Sequence, residues 1–309
     1  NWIAGETHLV QLGDVPDRGP DTDKAIALLQ KLESQAERDG GKVHVLVGNH
    51  EAMNIYGDLR YVDPGEYAAF RTRNSRRARD DFYDRDIEKR KLADPEFVAN
   101  REFRQQWEES IPLGMLEHRA AWGAQGEIGS WVRQHNAVIK INRTLFLHGG
   151  ISPEVLDMSI TEINEQIRLE LNGGLEEEPG LSEKETGPLW YRGLATNAEE
   201  IEKAHLELVL ATYDVDRVVI GHTPGLGTIV PRFEGRVLII DTGLSSYYGG
   251  FRASLLLQNN EATTLQHEQE IPIPVTKAGV LSYFERIAAL EPKAKALQVR
   301  IRNLASPDL

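Results

Sequence analysis

The chain reads as an α/β protein with a parallel start, a helical insertion and a later group of strands. Three observations predict this. Short apolar runs rich in β-branched residues recur at residues 9–12, 43–47, 137–141, 144–147, 217–220 and 237–240, as strands do. The interval 21–38 carries Ile26, Leu29, Leu32 and Ala36 at helical spacing, so it joins its two flanking strands in parallel. Four of the runs stop at glycine-containing turns bearing Asp14, Asn49, His148 and His222, which places those side chains at the carboxyl edge of the sheet, where sites of open α/β folds lie.

Taken in order, the turn at 13–19 carries Asp14, Asp17 and Arg18, and the turn at 48–51 carries Asn49, His50 and Glu51. From 58 to 131 the pattern changes: β-branched runs are scarce and Arg, Asp, Glu and Trp alternate, which predicts a mostly helical insertion capping the first loops. Inside it, Arg71, Arg73, Arg76, Arg77 and Arg79 form an acid-free run that either docks a phosphorylated substrate or is a solvated helix face; Asp80, Asp81, Asp84 and Asp86 follow and can neutralise it. Asn142-Arg143 makes a hairpin-like turn between two strands, and Ser152-Pro153 followed by acids signals a helix start. Helical spacing returns at 159–171, before Gly173-Gly174 and an acidic loop at 176–179, and again at 198–213. Strands at 217–220, 237–240 and 254–257 follow, the last two suited to a second sheet on the first. The tail, 280–304, is an amphipathic helical pattern interrupted at Pro292.

Composition narrows the chemistry. With 309 residues, 40% of them hydrophobic, the chain can bury a full core, and we expect one domain spanning 1–309 with the insertion inside it. A formal net charge of -13 repels polyphosphate backbones and anionic bilayers, so neither nucleic acid nor membrane is expected as a partner; phosphorylated small molecules and proteins are compatible with it. The absence of Cys excludes disulfides, thiolate metal sites and Cys nucleophiles, so any metal must use Asp, Asn, Glu or His. No run of 18 apolar residues occurs, which predicts a soluble protein and leaves cytoplasm and periplasm both open.

Asp14, Asn49, His148 and His222 are hard or borderline ligands suited to Mn, Fe or Zn. Each alone is a weak signal, a lone His in a glycine-rich turn being more often a capping or structural group; their conjunction at four strand ends points to a metal centre. In this order, Gly13-Asp14-x-x-Asp17-Arg18-Gly19, Gly48-Asn49-His50-Glu51, His148-Gly149-Gly150 and Gly221-His222 resemble the signatures of calcineurin-like metallophosphoesterases of the phosphoprotein phosphatase type. The segments Trp190-Tyr191-Arg192-Gly193 and Tyr247-Tyr248-Gly249-Gly250, with the long insertion, are most similar to Shewanella-like protein phosphatases.

That resemblance implies two packed mixed β-sheets flanked by helices, with two divalent ions between the sheet edges. It implies that Asp14 bridges both ions, that Asn49, His148 and His222 complete the second, and that a metal-bridging hydroxide attacks phosphorus. His50 would protonate the leaving oxygen with Asp17 behind it, Arg18 and Arg192 would clamp phosphate, and Tyr247 would line the substrate pocket. The implied activity is that of a metal-dependent phosphomonoesterase, in particular a protein phosphatase with tyrosine phosphate favoured. The alternatives are hydrolysis of a nucleotide or dinucleoside polyphosphate, and a non-catalytic phosphatase-like scaffold. One departure stands out: the family opens with an Asp-x-His turn, and none of the nine His here sits two residues after an Asp. The expectation is that this turn lies upstream of Asn1, and that one ion instead of two is held if the chain begins there.

Overall fold

The computed structural model describes residues 1–173 and 178–306; of the expected acidic loop, residues 176 and 177 lie outside that set. Strand β1 (His8–Gln11) and strand β2 (Lys42–Val45) pair in parallel, His8 opposite Lys42, joined by helix α1 (Thr22–Arg38). The predicted strand-helix-strand unit is therefore present. Helix α2 (Asn49–Tyr56) then starts at once, with Gly48 as its extended N-cap, so Asn49 and His50 occupy the first helical turn instead of the loop expected there. The reason is local: the Glu51 side chain returns to the Gly48 N–H at 2.8 Å, which closes the first turn over the motif.

The insertion contains α3 (Pro64–Ala69), α4 (Ser75–Ala93), α5 (Arg101–Ser110), α6 (Met115–Trp122) and α7 (Glu127–Val132). It does more than cap the loops. Trp122, Ile128 and Val132 enter the main core, and buried His118 bonds Glu66 at 3.0 Å, which bonds Thr22 of α1 at 2.7 Å. In the arginine run, Arg79 pairs with Glu108 at 3.2 Å and Arg77 with Asp81 at 3.9 Å, while Arg71, Arg73 and Arg76 are exposed.

Strands β3 (Val138–Ile141) and β4 (Thr144–Leu147) form the predicted antiparallel hairpin. The helix signalled at Ser152 is realised only as consecutive turns, Val155 N–H to Ser152 O and Met158 N–H to Val155 O, before α8 (Ile160–Gly173). The short α9 (Gly193–Thr196), α10 (Glu199–Thr212), β5 (Arg217–Ile220), β6 (Val230–Arg232) and β7 (Val237–Ile239) follow. They complete a five-stranded mixed sheet in the order β3-β4-β5-β7-β6, with β4, β5 and β7 mutually parallel in that order. The strand at 237–240 thus joins the sheet of β3, β4 and β5, which is separate from the two-stranded β1-β2 sheet. Only the last group, β8 (Ala253–Gln258), β9 (Glu261–Gln266) and β10 (Gln269–Pro272), makes a separate antiparallel sheet, and the tail folds as α11 (Lys277–Leu290) and α12 (Lys295–Ala305) around Pro292.

Alternation along the central strands distributes two cores. Leu145, Leu147, Val218, Ile220, Val237 and Ile239 pack with residues of α2, α6, α7, α8 and α10 on one face. Phe146, Val219 and Leu238, at the intervening positions, pack with Ile271, Phe284 and Leu297 on the other. Both faces are covered, which is why these strands read as continuous apolar runs in place of alternating ones. No helix among the described residues is long and apolar enough to cross a membrane.

Candidate metal centre

The five parallel strands all end on one cleft. β1 delivers Asp14, β2 delivers Asn49 and His50 through the start of α2, β4 delivers His148, β5 delivers His222 and β7 delivers Asp241, and all six line the same cavity. Turning each chain end inward requires unusual backbone. Asp14 (φ 57), Asp17 (φ 74), Arg18 (φ 53) and His222 (φ 60) are all left-handed, a conformation that costs a non-glycine residue about 1–3 kcal/mol and is sustained by the surrounding structure. Gly13 and Gly48 let the first two loops touch: a Cβ on Gly13 would lie 2.3 Å from Gly48 N, and one on Gly48 would lie 2.6 Å from the Asp14 carboxylate.

Glu51 fastens this contact. Its carboxylate accepts the N–H groups of Gly48 at 2.8 Å, Asp14 at 2.9 Å and Val15 at 2.8 Å. Burial, then the Asp14 charge, raises its pKa, and the amide bonds oppose that rise.

Four donor atoms converge beyond it. His148 Nε2 lies 3.0 Å from Asn49 Oδ1, 3.1 Å from His222 Nδ1 and 3.1 Å from Asp14 Oδ1. His148 Nδ1 is 2.6 Å from the Leu12 carbonyl, so Nδ1 carries hydrogen and Nε2 offers its lone pair to the cluster. Three acceptors around one nitrogen can share at most one proton there, whereas a divalent ion satisfies all four atoms together. Bonds of about 2.0–2.1 Å in a tetrahedral set place ligand atoms about 3.3–3.4 Å apart, close to what is seen, so the residues fit a metal. Charge follows the same geometry. Burial alone would raise the Asp14 pKa, but His148, with His50 and His222, holds it well below the usual carboxylate range. Burial, reinforced by His148 and Arg192, pushes His222 down to about 2, leaving its imidazole neutral, as a ligand must be. Trp190 packs edge-on against His222, ring centroids 5.7 Å apart.

Beside the cluster, His50 Nδ1 lies 2.5 Å from Asp17 Oδ2, and Asn54 Nδ2 holds the other Asp17 oxygen at 3.0 Å. Asp17 therefore pairs with the imidazole and not with its neighbour Arg18. Burial depresses the His50 pKa, yet the Asp17 hydrogen bond and the charges of Asp14, Asp17 and Glu51 outweigh it and raise the net value. The two arginines complete the rim. Among the described residues the Arg18 guanidinium makes no ion pair; Tyr61, Tyr248 and Tyr247 surround it with ring centroids 4.5, 5.0 and 5.3 Å from Cζ. Arg192 Nη1 donates to His222 O at 2.6 Å and to Thr223 Oγ1 at 3.1 Å, which fixes the arm over the metal ligands and is unlike a free surface arginine. Tyr247 is 71% exposed and stands at the rim, while Tyr248 lines the cleft. Sequence reasoning left Tyr61, Tyr248 and Asp241 unassigned; the end of an apolar run was the available signal for Asp241, and none existed for Tyr61. Burial raises the Asp241 pKa, with the Gly243 N–H bond opposing.

This combination defines a metallophosphoesterase. The calcineurin-like phosphoesterase family matches residues 2–226, and the chain belongs to it. It is 37% identical over 276 residues to an uncharacterized protein of Schizosaccharomyces pombe, covering 85% of this chain and 70% of that one. It is also 30% identical over 260 residues to Shewanella-like protein phosphatase 2 of Arabidopsis thaliana, covering 79% of this chain and 64% of that one. Among solved structures, the cold-active protein-tyrosine phosphatase of a psychrophilic Shewanella superposes with a TM-score of 0.65 at 28% identity, over 88% of this chain and 71% of that one. The chain is thus a phosphoesterase whose family uses divalent metals.

Proposed function

We propose that the protein is a protein phosphatase that hydrolyses phosphomonoesters, with phosphotyrosine as the preferred target. The observation that carries this is the convergence of Asp14, Asn49 and His222 within hydrogen-bond distance of His148 Nε2, beside the His50–Asp17 pair and two guanidinium groups. The preference for tyrosine rests on likeness to the Shewanella tyrosine phosphatase and to Shewanella-like protein phosphatases.

Asp14, Asn49, His148 and His222 would hold a divalent metal, which when bound would supply activation of water and neutralisation of phosphoryl charge. Arg18 and Arg192 bind phosphate oxygens, a match of guanidinium forks to phosphate geometry that persists at any working pH. His50 delivers the proton to the leaving oxygen. Asp17 keeps that proton on the ring by stabilising the imidazolium and fixes the ring's orientation.

The test is turnover of matched phosphotyrosine, phosphoserine and phosphothreonine peptides and of a dinucleoside tetraphosphate by the manganese-loaded protein. Highest kcat/KM on phosphotyrosine supports the reading. A preference for the dinucleotide makes the protein a nucleotide hydrolase instead, and no turnover of any makes it a binding scaffold.

A further inference from the structure

Tyr61 occupies an informative position. It begins the helical insertion, its carbonyl accepts the Arg18 N–H at 3.0 Å, and its ring lies 5.1 Å from the His50 ring at an interplanar angle of 39°. The Arg18 guanidinium sits over the same ring, 4.5 Å from the centroid. The Tyr61 ring therefore adjoins both the group placed to protonate the leaving oxygen and a group placed to hold phosphate. At 36% exposure it is partly open to the cleft that it lines.

On the functional reading above, a phosphoryl group held between the donor cluster and Arg18 presents its ester oxygen to His50, and Tyr61 is the ring that adjoins both His50 and Arg18 in the cleft. An aryl group is flat, reaches past the ester oxygen, and can stack offset on the tyrosine ring. A serine methylene is too short to do so. We propose that Tyr61 is a specificity-determining residue that selects aromatic over aliphatic phosphomonoesters by stacking on the leaving group. The inference rests on the functional reading above for the place of His50, and it adds a role for the insertion: its first residues form the leaving-group wall.

Three enzymes test it: the parent, Tyr61→Phe and Tyr61→Leu. The readout is the ratio of kcat/KM for phenyl phosphate over ethyl phosphate, because any general disturbance of Arg18 affects both substrates and cancels. Aromatic pairing of this kind is worth a factor of about 2 to 13, so Tyr61→Leu should lower the ratio by that factor while Tyr61→Phe preserves it. The second readout needs no turnover: competition for the metal-loaded site by phenylphosphonate and methylphosphonate, whose affinity ratio should fall in Tyr61→Leu by the same factor. Parent protein that hydrolyses neither ester refutes the functional reading, and the phosphonate ratio still reports on Tyr61. A folded Tyr61→Leu protein with both ratios unchanged overturns the inference.

Discussion

Replacing Glu51 by Gln should loosen the metal centre without touching a ligand. Glu51 is 4% exposed and its two oxygens accept three backbone N–H groups, two on Oε2 and one on Oε1. A glutamine fits the space but has one accepting oxygen. Its least costly orientation keeps the pair from Gly48 and Asp14 and turns the NH2 toward Val15, so one bond to a charged acceptor is lost and the Val15 N–H is left facing a donor. Such a bond contributes about 1.5–3 kcal/mol. At about 2 °C per kcal/mol for a chain of this length, the melting temperature of the metal-free protein should fall by about 3–6 °C. Because Asp14 N is one of the groups held, the Asp14 carboxylate gains freedom, and loss of such an orienting partner typically lowers metal affinity about 10–100-fold. Differential scanning calorimetry and calorimetric manganese titration read the two effects. An unchanged melting temperature together with unchanged affinity would refute the view that an ionised Glu51 fastens the two loops.

Other outcomes follow from the same geometry. His50→Asn should lower the rate on ethyl phosphate, a poor leaving group, by about 10²- to 10⁴-fold and Asp17→Asn by no more than that; the double mutant should fall little below His50→Asn, and multiplicative losses in kinetic assays would separate the two roles. On the proposed reading the four convergent donors hold one ion, so the 309-residue chain should retain close to one manganese or zinc per molecule after gel filtration, and Asp14→Asn should retain less; two tightly held ions in elemental analysis would show that further residues ligate. His44 is pushed down to about 4 by burial, then by Lys42 and His8. The folded chain thus refuses a proton that the unfolded chain binds below its ordinary value near 6.5. Stability should be full above that pH and decline toward pH 4, by about 1–2 kcal/mol after discounting for the half-exposed ring, and His44→Gln should flatten the decline in urea titrations at pH 7.5 and 5.

Much of the site was visible in the chain. Asp14, Asn49, His148 and His222 each follow an apolar run, and a run long enough only for a strand must end at a sheet edge, so their order and type announced a metal centre. The pairing of His50 with Asp17 was implied by the family resemblance that the motifs carry. Other features were not. That Asn49 and His50 begin a helix depends on Glu51 returning to Gly48, a capping contact that the expected loop did not include. The strand at 237–240 joined the sheet of β3, β4 and β5, and not that of β8, because its pairing is with β5, a choice made across some twenty residues that no local pattern records. Ser152 gave a start signal without a helix, since the chain there turns to carry Ile151 and Val155 into the core.

By itself the sequence determined the parallel unit, the apolar central strands, the acidic charge and the donor set, because periodicity, charge and side-chain chemistry are local properties. Only the tertiary structure decided which strands share a sheet, that three donor atoms close to 3.0–3.1 Å around His148 Nε2, that Arg18 makes no ion pair among the described residues and sits among three tyrosines, and that Tyr61 stands against His50. These depend on residues far apart in sequence, such as Asn49 and His148 or Arg18 and Tyr248, and their distances are set by how the sheets and insertion pack, which no window along the chain contains.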